Sequence, residues 1–156
     1  MEREQKEEIY RRVREEIEAT LEGETDLIAS MATIACLLHH SFDSFFWTGF
    51  YRVVAPGELL IGPYQGTLGC LCISFDRGVC GAAARKEETI IVPDVHQFPG
   101  HIACDPNSKS EIVVPVFNVR DELIAVLDVD SDEYDAFDEV DKRHLEGIVT
   151  LLRDKK

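Results

Sequence analysis

The chain lacks any apolar run approaching the roughly 20 residues that a membrane-spanning helix needs. Its N-terminus, Met1-Glu-Arg-Glu-Gln-Lys-Glu-Glu, is mostly charged where a secretory signal carries an apolar stretch, so a cytoplasmic location is the expectation. It has no C-x-x-C pair, the usual knuckle of a structural zinc site. It has neither G-x-x-x-x-G-K nor G-x-G-x-x-G to cradle phosphates, and no G-x-S-x-G to present a nucleophilic serine. Internal repeats and low-complexity linkers are missing too, so residues 1–156 are read as a single domain. Positive charge is scarce: 16 Lys and Arg face 30 Asp and Glu, for a net charge of −14. Such a surface repels phosphate backbones and anionic bilayers, which removes nucleic acid and membrane from the expected partners.

What remains is a soluble composition, 45% apolar and 29% charged over 156 residues, enough to bury a substantial core. A helical segment fills residues 1–40. Ile9, Val13, Ile17 and Leu21 recur four apart among charges and predict an amphipathic helix over Glu4–Leu21. A second helix starts near Thr25 or Asp26, either able to cap it, and runs to about His40. The pattern then becomes aromatic and β-branched. Phe45–Val53 and Glu58–Gly62 read as a hairpin around Pro56-Gly57. A short helix over Gly78–Lys86 and a strand over Thr89–Val92 follow. Glu111–Asn118 and Glu122–Asp130 form a second hairpin, and Asp138 caps a last helix. Hairpins and terminal helices predict an α+β sandwich of five or six strands, with the terminal helices packed together. Their narrow apolar stripes also suggest a homodimer.

Five cysteines, at 36, 70, 72, 80 and 104, form an odd set that does not describe a disulfide framework. Cys36 sits in the second helix and is expected in the core. Cys104 lies in Asp94–Ser110, a long aperiodic stretch of the kind that is usually functional or disordered. His96 and His101 are available there to favour its thiolate, the nucleophilic form. Zinc competes as a reading, because His101-x-x-Cys104 has usable spacing and Cys70, Cys72 and Cys80 add thiols. Without paired knuckles, no metal or other cofactor is expected. On the last strand, period two puts Ile124, Val126, Asp128 and Asp130 on one face and Leu123, Ala125, Leu127 and Val129 on the other. The second face is core; the first ends in two carboxylates that resemble the floor of a pocket. An antiparallel hairpin brings Glu111 to the same end. Crowded carboxyls raise one another's pKa, which suits a proton donor or a cation site.

Several motifs in fixed order carry a family resemblance: Phe46-Trp47-Thr-Gly49-Phe50-Tyr51, Gly62-Pro63-Tyr64-Gln65-Gly66, Arg77-Gly78-Val79-Cys80-Gly81, Asp94-Val95-His96 with Gly100-His101-Ile102-Ala103-Cys104-Asp105, Ser110-Glu111-Ile112-Val113, and Val126-Leu127-Asp128-Val129-Asp130-Ser131. From Phe46 onward the chain resembles the free methionine-(R)-sulfoxide reductases, stand-alone GAF-domain proteins. The resemblance implies a GAF fold with a six-stranded antiparallel sheet flanked by helices. It implies reduction of free L-methionine (R)-sulfoxide through thiol, sulfenic acid and disulfide, with thioredoxin as reductant. Cys104 matches the nucleophile, and Cys70 and Cys80 match the other motif cysteines, Cys70 as the main resolving one. Glu111, Asp128 and Asp130 match substrate-site carboxylates, and Trp47 and Tyr51 match aromatic pocket positions. Cys72 is an extra thiol that leaves the resolver open among 70, 72 and 80. The alternative is a GAF module that senses a small molecule or redox state without turnover, since fold alone does not decide function.

Overall fold

The structure, a computed structural model, describes residues 1–101 and 104–156; Ile102 and Ala103 of the cysteine motif lie outside the described residues. Two helices open the chain, α1 (Arg3–Thr20) and α2 (Leu27–Ser41). Asp26 caps α2 by accepting from the Ala29 N–H at 2.7 Å. Strands β1 (Trp47–Ala55), β2 (Glu58–Gln65) and β3 (Cys72–Ser74) precede α3 (Gly78–Lys86) and β4 (Ile90–Val92). After a 3₁₀ turn at Val95–Gln97 come β5 (Ser110–Phe117), β6 (Leu123–Ser131) and α4 (Glu139–Val149), which tightens into a 3₁₀ turn at Thr150–Leu152. Asp138 begins α4 with a reciprocal cap: its side chain accepts from Val140 and Asp141 N–H groups, and Asp141 accepts from the Asp138 N–H.

The six strands form one sheet in the order β3-β2-β1-β6-β5-β4, with antiparallel neighbours throughout. On one face, α1, α2 and α4 pack over Phe50, Ile112, Val114, Leu127 and Val129. On the other, Val79, Cys80, Ala83 and Ala84 of α3 cover Tyr51, Val113 and Val126. The α1 stripe that suggests pairing between subunits is consumed inside the chain: Val13 and Ile17 are buried in the first core. Lys6 and Tyr10 of α1 reach the buried Asp141 of α4 at 2.7 and 2.6 Å, which fixes how the terminal helices pack. Among the described residues no helix is long and apolar enough to cross a membrane.

Three readings need correction. The hairpin's second strand extends past Gly62 to Gln65, and β3, three residues long, emerges from the stretch around Cys72 that carries no readable period. Cys36 is half-buried, its sulfur 3.9 Å from His40 Nδ1, because it lies at the edge of α2's apolar face. The alternation along β6 slips at its start. Phe117 pairs with Leu123 and Val116 with Ala125, leaving Ile124 as the extra residue of a bulge. Leu123 therefore faces the α3 side and Ile124 the other, the reverse of a uniform period.

Candidate active site

Beyond the bulge the alternation holds, and it builds the floor of a pocket. Glu111 pairs directly with Asp130, and Val113 with Asp128, across β5 and β6. Trp47 pairs with Asp130 and Gly49 with Asp128 across β1 and β6. Side chains two apart share a face, so Trp47, Gly49 and Tyr51 stand beside Glu111, Asp128 and Asp130 on the α3 side. Gly49 matters because of what it omits. A Cβ there would lie 2.3 Å from Tyr64 Cβ and 2.7 Å from Trp47 Cη2. The missing side chain lets Trp47 lie across the strand, stacked between Tyr64 at 5.1 Å and Tyr51 at 5.8 Å.

The rim comes from two loops. Cys70, between β2 and β3, is joined to Cys104 by a disulfide with a Cα–Cα distance of 5.5 Å. Cys104 is exposed and Cys70 half-buried. The Trp47 indole donates to the Thr67 carbonyl at 2.8 Å, and the Thr67 hydroxyl donates to Asp105 at 2.6 Å. Thr67 thus ties the loop of one cysteine to the loop of the other, anchored on the pocket's tryptophan. A cavity of about 40 Å³ remains, lined by Trp47, Tyr51, Cys80, Cys104 and the three carboxyl groups, with His101 and Ser108 at its edge. The Cys104 sulfur and the carboxyls meet across this space although they come from three different segments, the loop before β5, β5 and β6.

Electrostatically the floor is an acid. Burial pushes the Glu111 carboxyl well above its ordinary range, and the neighbouring Asp128 and Asp130 add to the rise. Asp130 is also driven up by burial, then by Asp128. Asp128 rises by burial too, but hydrogen bonds from Glu111 and Cys80 offset part of the rise. Its Oδ1 is buried and meets no N–H or alcohol O–H. A buried acceptor of this kind needs a partner, and a protonated Glu111 beside it supplies one. The Cys80 thiol is pushed up by burial and by Asp128, so it stays protonated at neutral pH.

Several expectations about the thiols and histidines change here. His101 lines the pocket but burial, then His96, pushes its pKa down. It is neutral near pH 7 and is not the cation expected beside Cys104. His96 turns to Asp94 instead, Nδ1 to carboxylate at 3.0 Å. Cys72 is exposed on β3 and free; Cys80 is free and buried. The zinc set drawn from His101, Cys104 and the other cysteines does not assemble, because Cys70 and Cys104 hold each other. Among the described residues the metal-compatible atoms are a different trio, Cys80, Glu111 and Asp128, within 4.8 Å of one another. Thr67 and Ser108 were not legible as site residues: both are isolated polar residues outside any period.

Thr67 gives a direct test of the loop tie. Thr67→Val keeps the shape and loses the hydroxyl, so closure of the Cys70–Cys104 disulfide after oxidation slows by roughly tenfold, the scale of one hydrogen bond to a charged acceptor. Thr67→Ser restores it. Quenched-flow mass spectrometry of the disulfide reads the rate, and equal closure rates in the valine variant and the parent would remove Thr67 from this role.

Comparison with known proteins places this geometry. The sequence profile of the GAF domain family matches residues 6–154. GAF domain-containing protein A of Dictyostelium discoideum is 48% identical over 147 residues, covering 94% of this chain and 92% of that protein. The free methionine-R-sulfoxide reductase of Saccharomyces cerevisiae is 40% identical over 153 residues, covering 94% and 85%. The crystal structure of free methionine-R-sulfoxide reductase from Neisseria meningitidis in complex with its substrate superposes with a TM-score of 0.87 at 44% identity, over 92% of this chain and 86% of that one.

Proposed function

Starting from the premise that this chain belongs to the GAF domain family, and within it to the free methionine-R-sulfoxide reductases, we propose that it reduces free L-methionine (R)-sulfoxide to methionine with Cys104 as nucleophile. The observation that carries the reading is the convergence of the Cys70–Cys104 disulfide with three carboxyl groups around one cavity, Glu111 and Asp128 buried and Asp130 half-buried.

Each feature has a chemical task. A free amino acid carries an ammonium group that a peptide-bound residue lacks, and the carboxyl of Asp128, whose rise is partly offset by hydrogen bonds from Glu111 and Cys80, is suited to bind it. A sulfoxide sulfur is a poor electrophile until its oxygen is protonated. Glu111, kept neutral by burial and by its neighbours, donates that proton. The Cys104 thiolate attacks sulfur, the S–O bond breaks, methionine leaves, and the oxygen remains on Cys104 as a sulfenic acid. The Cys70 thiol condenses with it, releasing water and giving the observed disulfide. Two electrons from an external dithiol, with thioredoxin as the proposed donor, restore both thiols. Trp47 forms the wall that packs on the S-methyl group and selects the hand of the sulfoxide, and Tyr51 extends that wall. Cys80 serves as a buried hydrogen-bond donor to Asp128, since a thiol held protonated is a poor resolver.

The test is turnover on four substrates with dithiothreitol: free (R)- and (S)-sulfoxides and the same two within a blocked peptide. Methionine appears only from the free (R) form. Equal turnover of the peptide would remove the ammonium role, and no turnover of any substrate would leave a sensor module.

A further inference from the structure

The disulfide that ends each turnover needs a partner to open it, and the surface around it is unlike the rest of the molecule. Among the described residues, the two most exposed large hydrophobic side chains are Leu68 at 83% and Leu71 at 71%. They flank Cys70 in sequence, in the loop between β2 and β3. The chain is strongly acidic, yet Leu59 to Phe75 contains no charged residue. The loop thus adds no charge of its own to a repulsive surface, and the nearest carboxylate tied to it is Asp105 at the Thr67 hydroxyl.

The leucines are also held in place. The Leu71 carbonyl accepts from the Ile61 N–H at 2.9 Å, which pins its backbone to β2. One residue before Leu68, Thr67 is fixed by Trp47 and Asp105. Side chains on anchored backbone lose less freedom on docking than those on a loose loop, so more of their burial appears as affinity. Neither leucine fills the core, and an apolar side chain left in water on a fixed support is the usual material of an interface anchor.

We infer that Leu68 and Leu71 form the docking surface for a dithiol protein reductant of the thioredoxin class, seated so that its thiolate attacks Cys70. This rests on the reductase reading and assigns the place where its electrons enter. The reductant thiolate forms a bond to Cys70 Sγ, the Cys70–Cys104 bond breaks, and Cys104 leaves as the thiolate that the next substrate needs. The reductant's second thiol then attacks the mixed disulfide and frees Cys70 as a thiol. The reductant departs as a disulfide, two electrons poorer.

Two reductants separate docking from chemistry. In the Leu71→Ser variant, which leaves the cavity lining intact, turnover with thioredoxin, thioredoxin reductase and NADPH shows a thioredoxin KM raised about fivefold, the loss expected for one small anchor. Turnover with dithiothreitol, too small to need a docking surface, stays unchanged. An unchanged thioredoxin KM overturns the inference. So does an equal fall with both reductants, which would mean that Leu71 shapes the loop itself. Thioredoxin whose second active-site cysteine is serine should be trapped as a mixed disulfide on Cys70; an adduct on Cys104 or Cys72 also overturns it. Failure of the parent enzyme with dithiothreitol would instead count against the reductase reading.

Discussion

Cys104→Ser releases no methionine above background under saturating free methionine (R)-sulfoxide, a loss on the order of 10⁴-fold or more for removal of a nucleophile. The serine is nearly the same size and sits on the same loop, so the fold survives and the defect is chemical. A hydroxyl remains protonated at neutral pH and is a hard, weak nucleophile toward sulfur. Even a successful attack would leave the transferred oxygen on another oxygen, as a peroxide far higher in energy than a sulfenic acid. The pattern of the other cysteines makes the result specific. Cys70→Ser gives one methionine per chain and then stalls with thioredoxin, because the other thiol of the cavity, Cys80, is held protonated by burial and does not remove the sulfenic acid. Cys72→Ser and Cys36→Ser turn over like the parent, since one thiol is exposed on β3 and the other belongs to α2. Amino-acid analysis in a single-turnover experiment reads all four. Methionine from Cys104→Ser would assign the attacking atom elsewhere.

Glu111→Gln reduces kcat by a hundredfold or more, roughly the value of a positioned general acid. It also leaves the protein more stable than the parent at high pH. The two effects share one cause. Folding holds a proton on Glu111 that the unfolded chain gives up above the ordinary carboxylate range. The folded state therefore binds more protons than the unfolded state there, and stability falls as pH climbs from that range toward the raised folded pKa. Glutamine cannot titrate, so part of this pH-dependent loss disappears. In activity, the parent's kcat/KM falls on the alkaline side as the acid ionises, and the variant has no such limb of its own. Melting temperature and a pH–rate profile on the same preparations check both halves. A variant that keeps the parent's alkaline limb would move the proton donor to Asp130, whose carboxyl is also raised by burial.

Long patterns were legible in the sequence and single contacts were not. Gly78–Lys86, the β5–β6 hairpin and the Asp138 cap each show a local preference that agrees with the fold, and period two was enough to bring Glu111, Asp128 and Asp130 to one end. The same rule misassigned Leu123 and Ile124, because a bulge inserts one residue with no marker in composition. The short β3 has too few residues to show a period. His101 looks like a cation by type, yet its burial decides its charge, and burial is a property of the fold. Thr67 and Asp105 lie 38 apart in sequence, and nothing local to either announces the other. Ordered motifs supplied what periodicity could not, since they fix several distant positions at once.

The Cys70–Cys104 bond closes a loop with a sequence separation of 34. On chain entropy, such a crosslink favours the folded state by about 4 kcal/mol. The proposed catalytic cycle therefore alternates between a more and a less durable molecule. When reducing power runs short the population stalls in the crosslinked form, the one that opens least often to proteases. On the proposed cycle, idle enzyme would then be held in its longer-lived form until electrons return.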